Sequence, residues 1–123
     1  MTISTASREV RLIDLAIRNN AGTSNPGGLS VSNAKVAIVN CTFLENTTAS
    51  AQAQQIVLTS GTVTITNTVV YGASSGTMLY KPSSGLTLTT TYDLVKGMTL
   101  TGTGNLAGTT DPLLRSDGRL LPG

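Results

Sequence analysis

Histidine and tryptophan are absent from the 123 residues, cysteine occurs once, and only Phe43, Tyr71, Tyr80 and Tyr92 are aromatic. Without histidine the chain lacks the commonest general base and transition-metal ligand. A lone Cys41 excludes an intrachain disulfide and offers no metal-ligand spacing. Charge is equally sparse: 11% of residues are charged, the net formal charge is +2, and the basic residues are scattered singly. Few aromatics and no basic cluster disfavour a nucleic-acid surface. No run reaches the roughly 18 apolar residues of a spanning helix, so no membrane span is expected. The stretch from Met1 to Arg11 has no apolar signal region. That fits either a cytoplasmic protein or a mature domain, and the compartment stays open.

What is abundant is β-branched. Valine, isoleucine, leucine and alanine carry the apolar mass, threonine is frequent, and 13 glycines with 4 prolines punctuate the chain. This composition, over a length suited to one domain, favours an all-β fold of many short strands.

The strands repeat. Val36-x-Ile38-x-Asn40-Cys41-x-Phe43 recurs 27 residues later as Val63-x-Ile65-x-Asn67-Thr68-x-Val70. It also appears 26 residues earlier as Val10-x-Leu12-x-Asp14-Leu15-x-Ile17, and Leu86-x-Leu88 starts a fourth copy. Seven residues before each start stands another apolar residue: Ile3, Leu29, Ile56 and Leu79. No copy can bury its apolar side alone, so the copies must stack into one core. The expected fold is a short right-handed parallel β-helix of about four rungs over residues 1–96, with an irregular cap over 97–123. Expected to point inward are Val10, Leu12, Leu15 and Ile17 in the first rung, and Leu29, Val31, Val36, Ile38, Cys41 and Phe43 in the second. In the third they are Ile56, Leu58, Val63, Ile65, Thr68 and Val70, and in the fourth Leu79, Leu86, Leu88 and Leu94. Fitting Leu94 requires one inserted residue before it.

Asp14, Asn40 and Asn67 fall at one position between the second and third strands. Carboxamides in such turns bond their own backbone and one another, so a structural ladder is expected there rather than ligand binding. Asn40-Cys41-Thr42 and Asn46-Thr47-Thr48 fit the glycosylation pattern, which is common in any Asn- and Thr-rich chain. The long turns Asn19–Pro26 and Asn46–Gln54 should project on one side of the coil.

The final segment carries a resemblance. Tyr92-Asp93-Leu94-Val95-Lys96-Gly97, then Gly104-Asn105-Leu106 through Asp111-Pro112-Leu113-Leu114 and Arg119-Leu120-Leu121-Pro122-Gly123, resembles the end of many right-handed β-helix proteins. These form the pectate-lyase-like superfamily and its surface-protein relatives. Leu114 stands where the family usually has Phe. The resemblance implies the β-helix fold and a secreted or cell-surface origin. It also implies, as an alternative function, polysaccharide binding or cleavage by a lyase or glycosidase, with Ca²⁺ only in the lyase case.

The acids speak against such chemistry. Lyases of this kind cluster carboxylates around Ca²⁺, and glycosidases pair two at a fixed separation. Here Glu9 should sit beside Lys35, Asp14 joins the ladder, and Asp111 and Asp117 shape turns. Glu45 and Asp93 are left, and with Arg18 and Lys96 they are the only candidates for a catalytic site near the third-strand exits. Tyr71 could stack on a sugar ring or cover a neighbouring rung, and Cys41 should be a core thiol. No cofactor is expected. The tail can cover the last rung, whereas the first rung has no evident cover. Ile3, Val10 and Leu12 therefore form the expected interface of a non-enzymatic, self-associating structural module. The same bare end would also suit a fragment of a longer protein.

Overall fold

The computed structural model describes residues 1–4, 7–49, 53–72, 76–82 and 84–115. The turn expected at Ser116-Asp117-Gly118 and the Arg119–Gly123 end lie outside them. The described chain is all β and winds as a parallel solenoid of about three turns. The first face stacks β1 (Thr2–Ser4), β5 (Leu29–Ser32), β9 (Ile56–Leu58) and β12 (Leu79–Tyr80). The second stacks β2 (Val10–Ile13), β6 (Ala34–Val39), β10 (Gly61–Thr66) and β13 (Leu86–Thr91). The third stacks β3 (Ala16–Arg18), β7 (Thr42–Leu44), β11 (Val69–Tyr71) and β14 (Leu94–Val95). Every pairing in these faces is parallel and joins one layer to the next.

Alternation along each strand sends every second side chain into the coil. In the two middle layers all the expected inward residues are buried, from Leu29, Val31, Val36, Ile38, Cys41 and Phe43 to Ile56, Leu58, Val63, Ile65, Thr68 and Val70. They form one continuous apolar cluster, with Thr68 as its polar exception. The corner between the second and third faces is a single residue in left-handed conformation: Asp14 (φ 56°), Asn40 (φ 53°), Asn67 (φ 51°) and Tyr92 (φ 56°). Asparagine and aspartate tolerate this region better than other side chains. The Asn67 Nδ2 donates to Asn40 Oδ1 at 2.9 Å, and Asn40 Nδ2 donates to Asp14 Oδ1 at 3.1 Å. At Gly61 (φ 111°) the chain passes so close to β6 that a Cβ would lie 2.2 Å from the Ala34 carbonyl oxygen.

Both terminal layers depart from the expected register by two residues. Ile3 pairs with Val31, not Leu29. Leu86 pairs with Gly61, and it is Leu88 that pairs with Val63. The cause is the same at each end: the connection from the first to the second strand is two residues longer than in the middle layers. A seven-residue spacing therefore recurs in all four copies while joining different positions.

Correcting the fourth layer removes the expected insertion. Leu94 pairs with Val69, on the outward column, and Val95 takes the inward place beside Val70. Leu94 is buried, but outside the central apolar cluster. Leu15 occupies the same column as Cys41 yet is 42% exposed, because no described element covers the first layer.

The two long turns contribute a strand each. β4 (Ala21–Gly22) and β8 (Thr47–Thr48) pair in parallel as a small fourth sheet. Beneath it Asn46 and Gln55 are buried. The Asn46 Nδ2 donates to the Ile17 carbonyl at 2.8 Å and to Gln55 Oε1, while Gln55 Nε2 returns a bond to the Asn46 carbonyl at 3.1 Å.

Candidate functional site

The four candidate catalytic residues do not converge. Arg18 leads a column on the outer side of the third face, continued by Leu44 and Tyr71. Lys96 follows β14 in the same register and donates its backbone amide to the Val70 carbonyl at 2.9 Å. Three strand spacings, about 14 Å, separate Arg18 from Lys96 along this column. The Lys96 ammonium lies 5.0 Å from the centre of the Tyr71 ring, within cation–π range, and donates to the Gly72 carbonyl. It serves the flank of the coil.

Asp93 is not a solvated turn residue. The corrected register puts it in the inward column of Cys41 and Thr68, where it is 1% exposed. Its Oδ1 accepts from the Thr68 amide at 2.8 Å and its Oδ2 from the Thr91 amide at 3.0 Å. Its own amide donates to Asn105 Oδ1 at 2.8 Å, and the Leu106 amide donates to its carbonyl at 2.8 Å. Desolvation by burial pushes its carboxyl pKa above the ordinary 3.8, against the lowering pull of the Thr68 and Thr91 amides. Asp93 thus ties the last layer to the tail. A polar residue in a β-rich stretch reads as a turn, and only the correct register shows it to be a core position.

Glu45 takes a left-handed corner (φ 53°) and is half-buried, so it is not the free carboxylate that was expected. It lines a cavity of about 300 Å³ on the flank with Asn19, Tyr71, Asp111 and Arg115. Sequence spacing gave no hint that the tail brings Asp111 and Arg115 beside it. The Asp111 Oδ1 accepts from the Leu113 amide at 2.9 Å, an Asx turn. Among the described residues no three His, Cys, Asp or Glu side chains gather where they could hold a metal. Cys41 is a buried thiol, and its Sγ donates to the Leu12 and Val39 carbonyls. Asn46, the other residue in the glycosylation pattern, is buried in the folded chain.

The two ends of the coil differ on the third face, where Leu15 and Ile17 are open and Asp93 and Val95 are buried. At the last layer the tail crosses the interior: Leu100 is 7% exposed and belongs to the core, and Met98 packs against it. The Thr90 hydroxyl donates to the Thr101 carbonyl at 2.6 Å, and Asn105 Nδ2 donates to Thr90 Oγ1 at 2.9 Å. At the first layer β1, β2 and β3 are all edge strands. Ile3, Val10 and Ile17 are only partly buried there, although Leu12 is 7% exposed. Glu9 sits beside Lys35 as expected from the repeat, with Nζ to Oε2 at 3.2 Å, and Arg11 Nε stands 3.9 Å from Glu9 Oε1.

Compared with protein-family models, curated proteins and solved structures, the chain gives no match. The fold therefore stands on its own geometry. No described helix is long and apolar enough to cross a membrane.

Proposed function

We propose that this chain is a non-enzymatic structural and interaction module that self-associates through its first rung. One observation carries the reading: on the third face Asp93 and Val95 of the last layer are buried while their first-layer equivalents Leu15 and Ile17 stay open, beside strand edges that are unpaired among the described residues. Open strand edges beside exposed apolar side chains are a template for another β layer. The resemblance of the final rung to the ends of pectate-lyase-like β-helix proteins supports the same picture, a coil built for assembly at a surface. Sedimentation velocity tests it directly. Self-association at micromolar concentration is expected, and a strict monomer overturns the reading.

A second reading, polysaccharide binding, draws on the flank cavity where Tyr71, Glu45, Asp111 and Arg115 meet. A glycan array probed with the parent and with Glu45→Gln separates the two. Sugar binding lost in that variant would favour the flank over the open end.

A further inference from the structure

Resting on the self-association proposed above, we infer that two copies join head to head about a twofold axis beside Val10, with β2 antiparallel to its counterpart and Glu9 of each copy facing Arg11 of the other. The partner is a second copy presenting its own first layer, because the tail lies over part of the opposite end. Leu100 packs into the core there and the Thr90–Thr101 and Asn105–Thr90 bonds hold the tail in place, so a head-to-tail copy would have to displace it. Two like ends then close as a dimer rather than a fibre.

The register follows from backbone direction and charge. The Asp14 amide donates to the Val39 carbonyl, toward β6. Backbone groups alternate along a strand, so those of Leu12 and Val10 also face β6, while those of Glu9, Arg11 and Ile13 face the free edge. Side chains alternate likewise: Val10 and Leu12 belong with the core, and Glu9 and Arg11 are outward and exposed, Glu9 beside Lys35. Antiparallel pairing that keeps inward residues inward allows only shifts of two. Centred on Glu9, the axis sets Glu9 against Glu9. Centred on Arg11, it sets Arg11 against Arg11. Centred on Leu12, it places Arg11 opposite Ile13. Only the axis at Val10 sets each Glu9 opposite an Arg11, forming two symmetric opposite-charge pairs. Val10 also pairs with Val36, near the middle of the six-residue strand Ala34–Val39, so the axis passes close to the centre of the face. Directly opposed side chains of this kind interact, and like charges in the same place repel.

The test uses the full chain in four forms: parent, Glu9→Arg, Arg11→Glu and the double exchange, each checked for parental circular dichroism and followed by sedimentation equilibrium. Each single exchange should weaken self-association by about tenfold or more, since both symmetric pairs change sign. The double exchange, with the parental net charge, should restore it. The two single variants, mixed, should form a heterodimer more readily than either associates alone. A dimer indifferent to all exchanges, or one that the double exchange does not restore, overturns this register while leaving self-association standing. A monomeric parent overturns both.

Discussion

At the scale of single residues, polar side chains specify this coil as much as apolar ones. Asn40 does two things: it holds φ 53° and joins two ladder bonds. Alanine there loses both, at about 1–2 kcal/mol for the left-handed backbone and about 1 kcal/mol for the exposed bonds. Asn40→Gly restores the backbone freedom but not the bonds, so it should cost about half as much as Asn40→Ala in urea unfolding. Equal losses would show that the ladder bonds alone matter. Asp93 makes a different case, because its partners are buried. Asp93→Ala leaves the amides of Thr68 and Thr91 without acceptors, an expected loss of about 2–4 kcal/mol. Its pKa also has a consequence for pH. A carboxyl held above its unfolded value contributes stability that is complete below that value and lost as pH rises through the folded one. The stability difference between the parent and Asp93→Asn should therefore decline as pH is raised from 3.8 upward. A difference that grew over that range would mean the two amides outweigh burial.

At the scale of elements, the middle layers were legible and the terminal ones were not, for a physical reason. Between β6 and β7, and between β10 and β11, a one-residue corner forces a fixed spacing, so Asn40 and Asn67 align on sight. Between the first and second faces the corner length is free to vary. At both ends it grows by two residues, and apolar residues at the same sequence spacing then stand in different columns. That slip hid Asp93 and misplaced Leu86, Leu94 and Ile3. The tail was legible only as a cover. Its attachment depends on a residue that breaks the ladder, Tyr92, whose ring lies so near Gly104 that a Cβ there would meet it at 2.3 Å. If the tail seals the coil, Leu100→Ala should cost about 2–4 kcal/mol by opening a cavity at the last layer. Leu106→Ala, at a position 50% exposed, should stay within about 0.5 kcal/mol. Similar midpoints for the two variants in chemical unfolding would show that the tail merely rests on the last rung.

At the scale of the whole molecule, the two middle layers are stacked above and below, the tail covers part of the last layer, and among the described residues the first layer is stacked on one side only. Apolar surface and strand edges left at that end contribute nothing to folding until another layer covers them. Association there would link folding to concentration, because whatever binds the folded form alone stabilises it by mass action. The thermal midpoint of the parent should then rise with protein concentration across the range in which sedimentation reports association. Ile17→Lys is the informative variant. Ile17 pairs with Phe43 in the inward column and is half-buried in the single chain, so a lysine there can keep its ammonium in water. In a stacked pair the same ammonium would be enclosed between layers, which burial of an unpaired charge strongly opposes. The variant should fold, with a midpoint independent of concentration, while Thr64→Lys on the exposed outer side of β10 keeps the parental dependence. A concentration-dependent midpoint that survives Ile17→Lys would place the contact on a flank of the coil, not at its open end.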